Sequence, residues 1–270
     1  MSYKETFMAA TDNQTLCTRV KEHSRQYGME QMKRFLTTLA LLGVILMEIA
    51  PVQAGDFLIV GATRNTGLEI AKILVARGDS VTALVRPTSN LENLEPLGVE
   101  YFVGDAIEAD EVLKAVQSKK FDAVFSTLGG GRGERPPDLV GTINIVDAME
   151  KAGSRRLIVV TVIGPGKSIA MVPAEQRKLL GRVIALKEEA ENYIMASSLS
   201  YTIVRPGQLT SNPRSGIIKL SEGMEPTGPV TRADLADLVV WTYDNAEAAN
   251  KVYQVIGDDP LATQRMGAPG

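Results

Sequence analysis

Between residues 57 and 256, short apolar runs alternate with stretches whose apolar positions recur at helical spacing. The runs at 57–60, 80–85, 99–103, 123–126, 156–160 and 201–204 predict strands, aliphatic enough to be covered on both faces. Helical patterns fill the intervals at 68–78, 109–117, 139–152 and 175–196; Pro136 and Pro137 stand where the third can begin, and Gly153 where it stops. Beyond residue 204 the pattern loosens. A short strand is predicted at 217–220, a helix at 232–243 and a last strand at 251–256; Thr231 is the expected N-cap, with Asp234 at the capping-box spacing. This alternation predicts an α/β protein built on a doubly wound parallel sheet, with a small C-terminal region. No repeat and no Pro/Ser-rich linker divides it, so 55–260 reads as one domain and 261–270 as a tail.

The first strand runs directly into Gly61-Ala62-Thr63-Arg64-Asn65-Thr66-Gly67 and then a helix. A glycine turn between a buried strand and a helix delivers free N–H groups and the positive end of the helix dipole to an anionic pyrophosphate. Only two glycines of the usual three are present, and Arg64 and Asn65 occupy the middle. The second strand ends in Arg86, where a dinucleotide-binding unit places the residue facing the adenosine ribose. An acidic residue there suits the free 2′-hydroxyl of NAD(H), whereas Arg86 suits a 2′-phosphate, so NADP(H) is the expected cofactor and NAD(H) the alternative. The competing reading of Arg86 is a solvated charge at a strand end.

Composition narrows the chemistry. The chain has 270 residues, 44% of them hydrophobic, enough for one large α/β domain, and a net charge of −3 gives no basis for nucleic-acid binding. Its one cysteine, Cys17, and one histidine, His23, both precede the first strand. The domain therefore has no thiol nucleophile, no Ser-His-Asp triad, no disulfide and no His- or Cys-based zinc site. Reactivity must come from a cofactor, carboxylates, hydroxyls, Lys or Arg; no metal is expected.

The N-terminus carries a different message. Residues 1–31 are polar and read as a disordered leader; Met32-Lys33-Arg34 is basic, 35–47 is apolar apart from Thr37 and Thr38, and small residues precede Gly55. The segment 32–54 resembles a secretory signal cleaved after Ala54, which implies export. The alternatives are a retained anchor, with membrane association through 32–52, or a packing helix of a cytoplasmic protein.

As a set, Gly61-Ala62-Thr63 with Gly67, Leu84-Val85-Arg86, Gly104-Asp105, Ser126-Thr127-Leu128-Gly129, the helix around Lys187, Tyr201-Thr202-Ile203-Val204-Arg205-Pro206-Gly207 and Thr231-Arg232-Ala233-Asp234 resemble the atypical short-chain dehydrogenase/reductases. The resemblance is to the NmrA-like, NAD(P)H-binding branch. It implies a Rossmann-like sheet whose C-terminal part forms the substrate side. By position, Gly61, Thr63, Arg64, Asn65, Thr66 and Gly67 would surround the pyrophosphate, Arg86 the ribose phosphate and Asp105 the adenine amino group. Thr127 and Gly129 would line the middle of the cofactor, and Pro206 and Gly207 would approach the nicotinamide. Asp105 has a second reading, as a cap of the following turn.

The typical short-chain enzymes place a tyrosine four residues before a lysine, so that the phenol passes a proton while the cofactor passes hydride. Lys187 matches the lysine, but the tyrosine position is Val183. Thr161 takes the place of the family's catalytic serine. Thr161 and Lys187 are thus the candidate catalytic residues, Lys187 as a holder of ribose hydroxyls or as a surface charge. Without the tyrosine, the resemblance implies hydride transfer to a small electron acceptor, a flavin, quinone, tetrapyrrole or carbonyl, or else a non-catalytic redox sensor or assembly factor. A sugar-nucleotide epimerase fits less well, because that chemistry uses the tyrosine. The segment 163–176 is expected to form a lid over the nicotinamide, with Arg132 and Arg135 beside it to meet an acidic acceptor.

Overall fold

The computed structural model describes residues 54–130, 133–223 and 228–257; the leader, the signal-like segment up to residue 53, Arg132 and the tail lie outside them. Its strands are β1 (Asp56–Val60), β2 (Ser80–Val85), β3 (Glu100–Val103), β4 (Ala123–Ser126), β5 (Arg156–Val160), β6 (Ser200–Arg205), β7 (Leu209–Thr210), β8 (Ile218–Ser221), β9 (Val230–Thr231) and β10 (Lys251–Gly257). The helices are α1 (Asn65–Ala76), α2 (Ala109–Gln117), α3 (Thr142–Ala152), α4 (Ala174–Ala196) and α5 (Arg232–Asp244).

Eight strands form one sheet in the order β3-β2-β1-β4-β5-β6-β10-β8. All neighbours are parallel except β8, which runs antiparallel along β10. This is the expected Rossmann-like, doubly wound sheet. The winding reverses between β1 and β4, and ligands of such sheets bind beyond the strand ends at that point.

Alternation along the strands builds two cores. Phe57 and Ile59 face α1 and α5, while Leu58 and Val60 face the apolar sides of α2 and α3. Phe57, Leu58 and Ile59 are wholly inaccessible to solvent, which explains the unbroken apolar run in the sequence.

Two features depart from the sequence expectations. The third helix opens with a wide turn at Pro137–Gly141, and regular α3 begins only at Thr142. Leu209–Thr210 and Val230–Thr231 pair in a separate parallel ribbon too short to show a period.

The Thr231 cap forms as expected, its Oγ1 accepting from Asp234 N at 3.0 Å. Asp234, however, does not complete a capping box. Its carboxylate accepts from Ser215 N and Oγ (both 2.8 Å), Gly216 N (3.1 Å) and Thr231 Oγ1 (2.8 Å), tying the approach to β8 onto the start of α5. Burial raises the Asp234 pKa, but these hydrogen bonds outweigh it and leave the group below the ordinary carboxylate value. A depressed folded-state pKa stabilises above the unfolded value of about 3.9, and the contribution is lost as pH falls through the folded value. Asp234→Asn is therefore expected to cost about 1–3 kcal/mol near neutrality and to flatten the acid limb of stability against pH, read from urea midpoints. An acid limb identical to that of the parent would refute the assignment.

Candidate functional site

A cleft of about 800 Å³ opens at the carboxyl ends of β1, β4 and β5, within the size range of cofactor sites. Its centre is the turn after β1. Gly61 takes φ +98°, and a Cβ built there would lie 2.7 Å from Thr127 Oγ1. The turn is clamped to the end of β4: Thr127 N donates to Val60 O at 2.9 Å and Thr127 Oγ1 to Gly61 O at 3.1 Å. Asn65 enters α1 with φ +57°, a left-handed conformation that asparagine tolerates better than most residues. No side chain caps α1 and its first turn holds no acid, so its N-terminal N–H groups and dipole are left to the cleft.

Thr63, Arg64, Asn65 and Thr66 line that cleft, but Gly67 does not. A Cβ at Gly67 would lie 2.2 Å from Gly61 O and 2.6 Å from Thr127 Oγ1. Gly67 therefore allows helix and turn to touch, whereas the family resemblance implies a place around the pyrophosphate.

At the adenosine end, Arg86 is exposed beyond β2 and has no acidic partner among the described residues. Ser89 folds back beside it, its N–H donating to Arg86 O (2.9 Å) and its Oγ accepting from Arg86 N (3.1 Å). Ser89 also lines the cleft and was not among the expected residues; the turn-forming run Arg86-Pro87-Thr88-Ser89 was its only signal. Asp105 caps its turn, its Oδ1 accepting from Ile107 N at 3.2 Å, and also faces the cleft.

The far end holds Thr161, Lys187 and Val183. Lys187 is no surface charge: it is 4% exposed, its Nζ donates to Leu128 O at 2.6 Å and lies 2.9 Å from Asp138 Oδ1. Asp138 is fully buried and accepts no aligned hydrogen bond, so the contact is one of charge. It lies in the wide turn before α3, and nothing in the sequence linked it to a lysine so distant along the chain.

Thr161 donates its hydroxyl proton to Glu191 Oε1 at 2.6 Å, and Arg205 grips the same carboxylate through Nε and Nη2. Because its one hydroxyl proton is engaged with Glu191, Thr161 offers a ligand lone pairs and no proton. Val183, Lys187 and Glu191 form one stripe along α4, and an apolar Val183 fills the tyrosine position. No tyrosine, histidine or cysteine lines the cleft among the described residues.

Other expectations need correction. Gly129 lines the cleft, but Pro206 and Gly207 do not: Pro206 O accepts from Ile163 N at 2.9 Å, and Leu209 and Arg232 take the wall instead. Residues 163–176 do not reach the cleft either. Ile163 and Val172 pack with Ile184 into a small core of their own, and Glu188 accepts from Gly166 N at 3.0 Å, which holds the segment against α4. Arg135 is paired with Glu108 at 2.7 Å and with Ile107 O. Among the described residues no carboxylate cluster could hold a metal, and no helix is long and apolar enough to cross a membrane.

A parallel sheet with a glycine turn at its switch point, an uncapped helix and unpaired arginines over an elongated cleft defines a dinucleotide-binding protein. The chain belongs to the NAD(P)H-binding family, whose model matches residues 61–246 and which includes NmrA-like, atypical short-chain proteins. It is similar to the structure of an anaerobilin reductase from Escherichia coli O157:H7, with 30% identity, TM-score 0.68 and coverage of 75% of this chain and 97% of that one. It is 28% identical to a phenylcoumaran benzylic ether reductase of Ginkgo biloba (72% of this chain, 66% of the relative). It is 27% identical to a Bacillus subtilis protein named as a sugar epimerase (76% and 95%). The family is thus NAD(P)H-binding and reductase-like.

Proposed function

We propose that the protein is an NADPH-dependent reductase that delivers hydride to a small electron acceptor. The observation that carries this reading is the cleft itself, which runs from an unpaired arginine at the ribose end to a far end lined by Thr161, Val183 and Lys187, without a tyrosine. The residues fit the cofactor: Gly61, at φ +98°, turns the backbone from β1 toward α1, and the uncapped α1 N-terminus and Arg64 meet the charge of a pyrophosphate. Arg86 and Ser89 would hold the 2′-phosphate, and Asp105 the adenine amino group through the oxygen not engaged with Ile107. Lys187, which donates one N–H to Leu128 O, has N–H left for a ribose hydroxyl. NADPH, when bound, supplies the hydride.

The chain's own groups constrain what the acceptor must do. Thr161 can accept a hydrogen bond but not give one, and Val183 carries no proton. The acceptor's proton therefore comes from water, which suits flavins, quinones and tetrapyrroles better than simple carbonyls.

Arg86→Ala is expected to weaken NADPH by about 1.5–3 kcal/mol, while NADH binding changes little. Calorimetric titration of both cofactors reads this directly. An unchanged NADPH/NADH ratio would mean that Arg86 is only a solvated charge.

A second reading, a redox sensor or assembly factor that binds the cofactor without turnover, is favoured by Val183 and by the engagement of Lys187 with Asp138. Oxidation of NADPH by any member of a flavin, quinone, tetrapyrrole and carbonyl panel decides for the reductase. An epimerase is disfavoured by the same missing tyrosine.

A further inference from the structure

The charges of the cleft do not all pair off within the protein. Lys187 meets Asp138 and Arg135 meets Glu108, but Arg64, Arg86 and Arg232 have no acidic partner among the described residues. An NADPH molecule presents two anionic stations, its pyrophosphate and its 2′-phosphate. Arg64 and Arg86 stand at those two, which leaves a third guanidinium without a counter-ion.

Arg232 is the first residue of α5, directly after the β9 strand that pairs with β7. It shares its stretch of cleft wall with Leu209, on β7 beyond the end of β6. In the sheet, β1, β4 and β5 separate β6 from the β2 end that carries Arg86, so Arg232 belongs to the end of the cleft opposite the adenosine. Its Nη1 is committed, donating to Ser211 Oγ at 2.9 Å. Its Nε is enclosed and donates to nothing. The Nη end of the guanidinium, with one N–H given to Ser211, keeps further N–H groups that a planar carboxylate can meet.

We propose that Arg232 anchors a carboxylate of the electron acceptor, so that the substrate class is a flat, carboxylate-bearing molecule rather than a neutral one. This rests on the reductase reading. Leu209 and Val183 supply apolar wall beside the anchor, Thr161 accepts a hydrogen bond from the acceptor, and Arg232 fixes its orientation through the charged edge.

The test uses the full-length chain and two matched pairs of probes, biliverdin with its dimethyl ester and anthraquinone-2-carboxylate with its methyl ester. Binding to the NADP⁺-saturated protein and NADPH oxidation are both measured for the parent, Arg232→Gln and Arg232→Lys. The free acid of at least one pair is expected to bind about tenfold or more tightly than its ester. That preference should vanish in Arg232→Gln and survive partly in Arg232→Lys, which keeps charge but loses the fork, while the NADPH dissociation constant stays unchanged in both. The proposal is overturned if no acid outbinds its ester, if the preference persists in Arg232→Gln, or if NADPH binding weakens there, which would give the guanidinium to a cofactor phosphate. Acid-selective binding lost in Arg232→Gln but without NADPH oxidation would uphold the anchor and count against the reductase reading alone.

Discussion

Lys187→Met is expected to destabilise the protein by about 3–5 kcal/mol, because it strands the fully buried Asp138 carboxylate without its counter-charge. For a domain of this size each kcal/mol moves the melting temperature by about 2–4 °C, so a fall of roughly 6–20 °C should appear in a thermal scan. Methionine keeps most of the lysine stem's apolar contact, which limits the cavity term. The double variant Lys187→Met with Asp138→Asn separates the causes. Removing the charge on both sides should restore much of the lost stability, since the cost lies in the unpaired ion rather than in a missing bond. If the single variant melts like the parent, the charge pair is not what stabilises this corner. If the double variant is as unstable as the single, lost packing is the cause.

Gly67→Ala is expected to be equally severe by a different route. The added methyl would sit 2.2 Å from the Gly61 carbonyl oxygen and 2.6 Å from Thr127 Oγ1, so it cannot be accommodated by turning a flexible side chain. Either α1 lifts from the sheet or the turn is pushed toward β4, and overpacking of this kind costs about 3 kcal/mol. Cofactor affinity should fall with it, by about 100-fold or more, because the same displacement misaligns the α1 N-terminus. Gly181→Ala is the control: the position is exposed in the interior of α4 with nothing within 4 Å, and the change should stabilise by about 0.5–1 kcal/mol. Denaturation midpoints of the two variants, alongside NADPH titrations, test the pair. A Gly67→Ala protein of parental stability would show that the contact yields.

The parts legible in the sequence are those that local periodicity and turn chemistry encode. β1, β2, β4 and β5 were readable because strands covered on both faces must be apolar throughout, and the turn at 61–67 because its backbone needs glycine or asparagine at particular angles. Arg86 was readable from its position at a strand end. Pairings between distant residues were not. Asp138 meets Lys187, and Glu191 binds both Thr161 and Arg205, only because three separate elements converge at the ends of β4, β5 and β6. Periodicity identified α4 as a helix but not how it lies. Residues 174–182 are all exposed, Leu179 included, while the second half of the helix carries the buried stripe. The ribbon of β7 and β9 brought Leu209 and Arg232 to the wall where Pro206 and Gly207 were expected. Ile163, Met171 and Val172 of the segment 163–176 go into a small core of their own.

The left-handed Asn65 has a consequence for how a ligand is received. Glycine would reach that conformation more easily, but it would also wander among many others before folding and in the empty site. Asparagine narrows that choice, and the clamp from Thr127 narrows it again at Gly61. The ordering entropy of the turn is therefore spent when the chain folds, not when an anion arrives, and the site meets its cofactor as a preorganised mould.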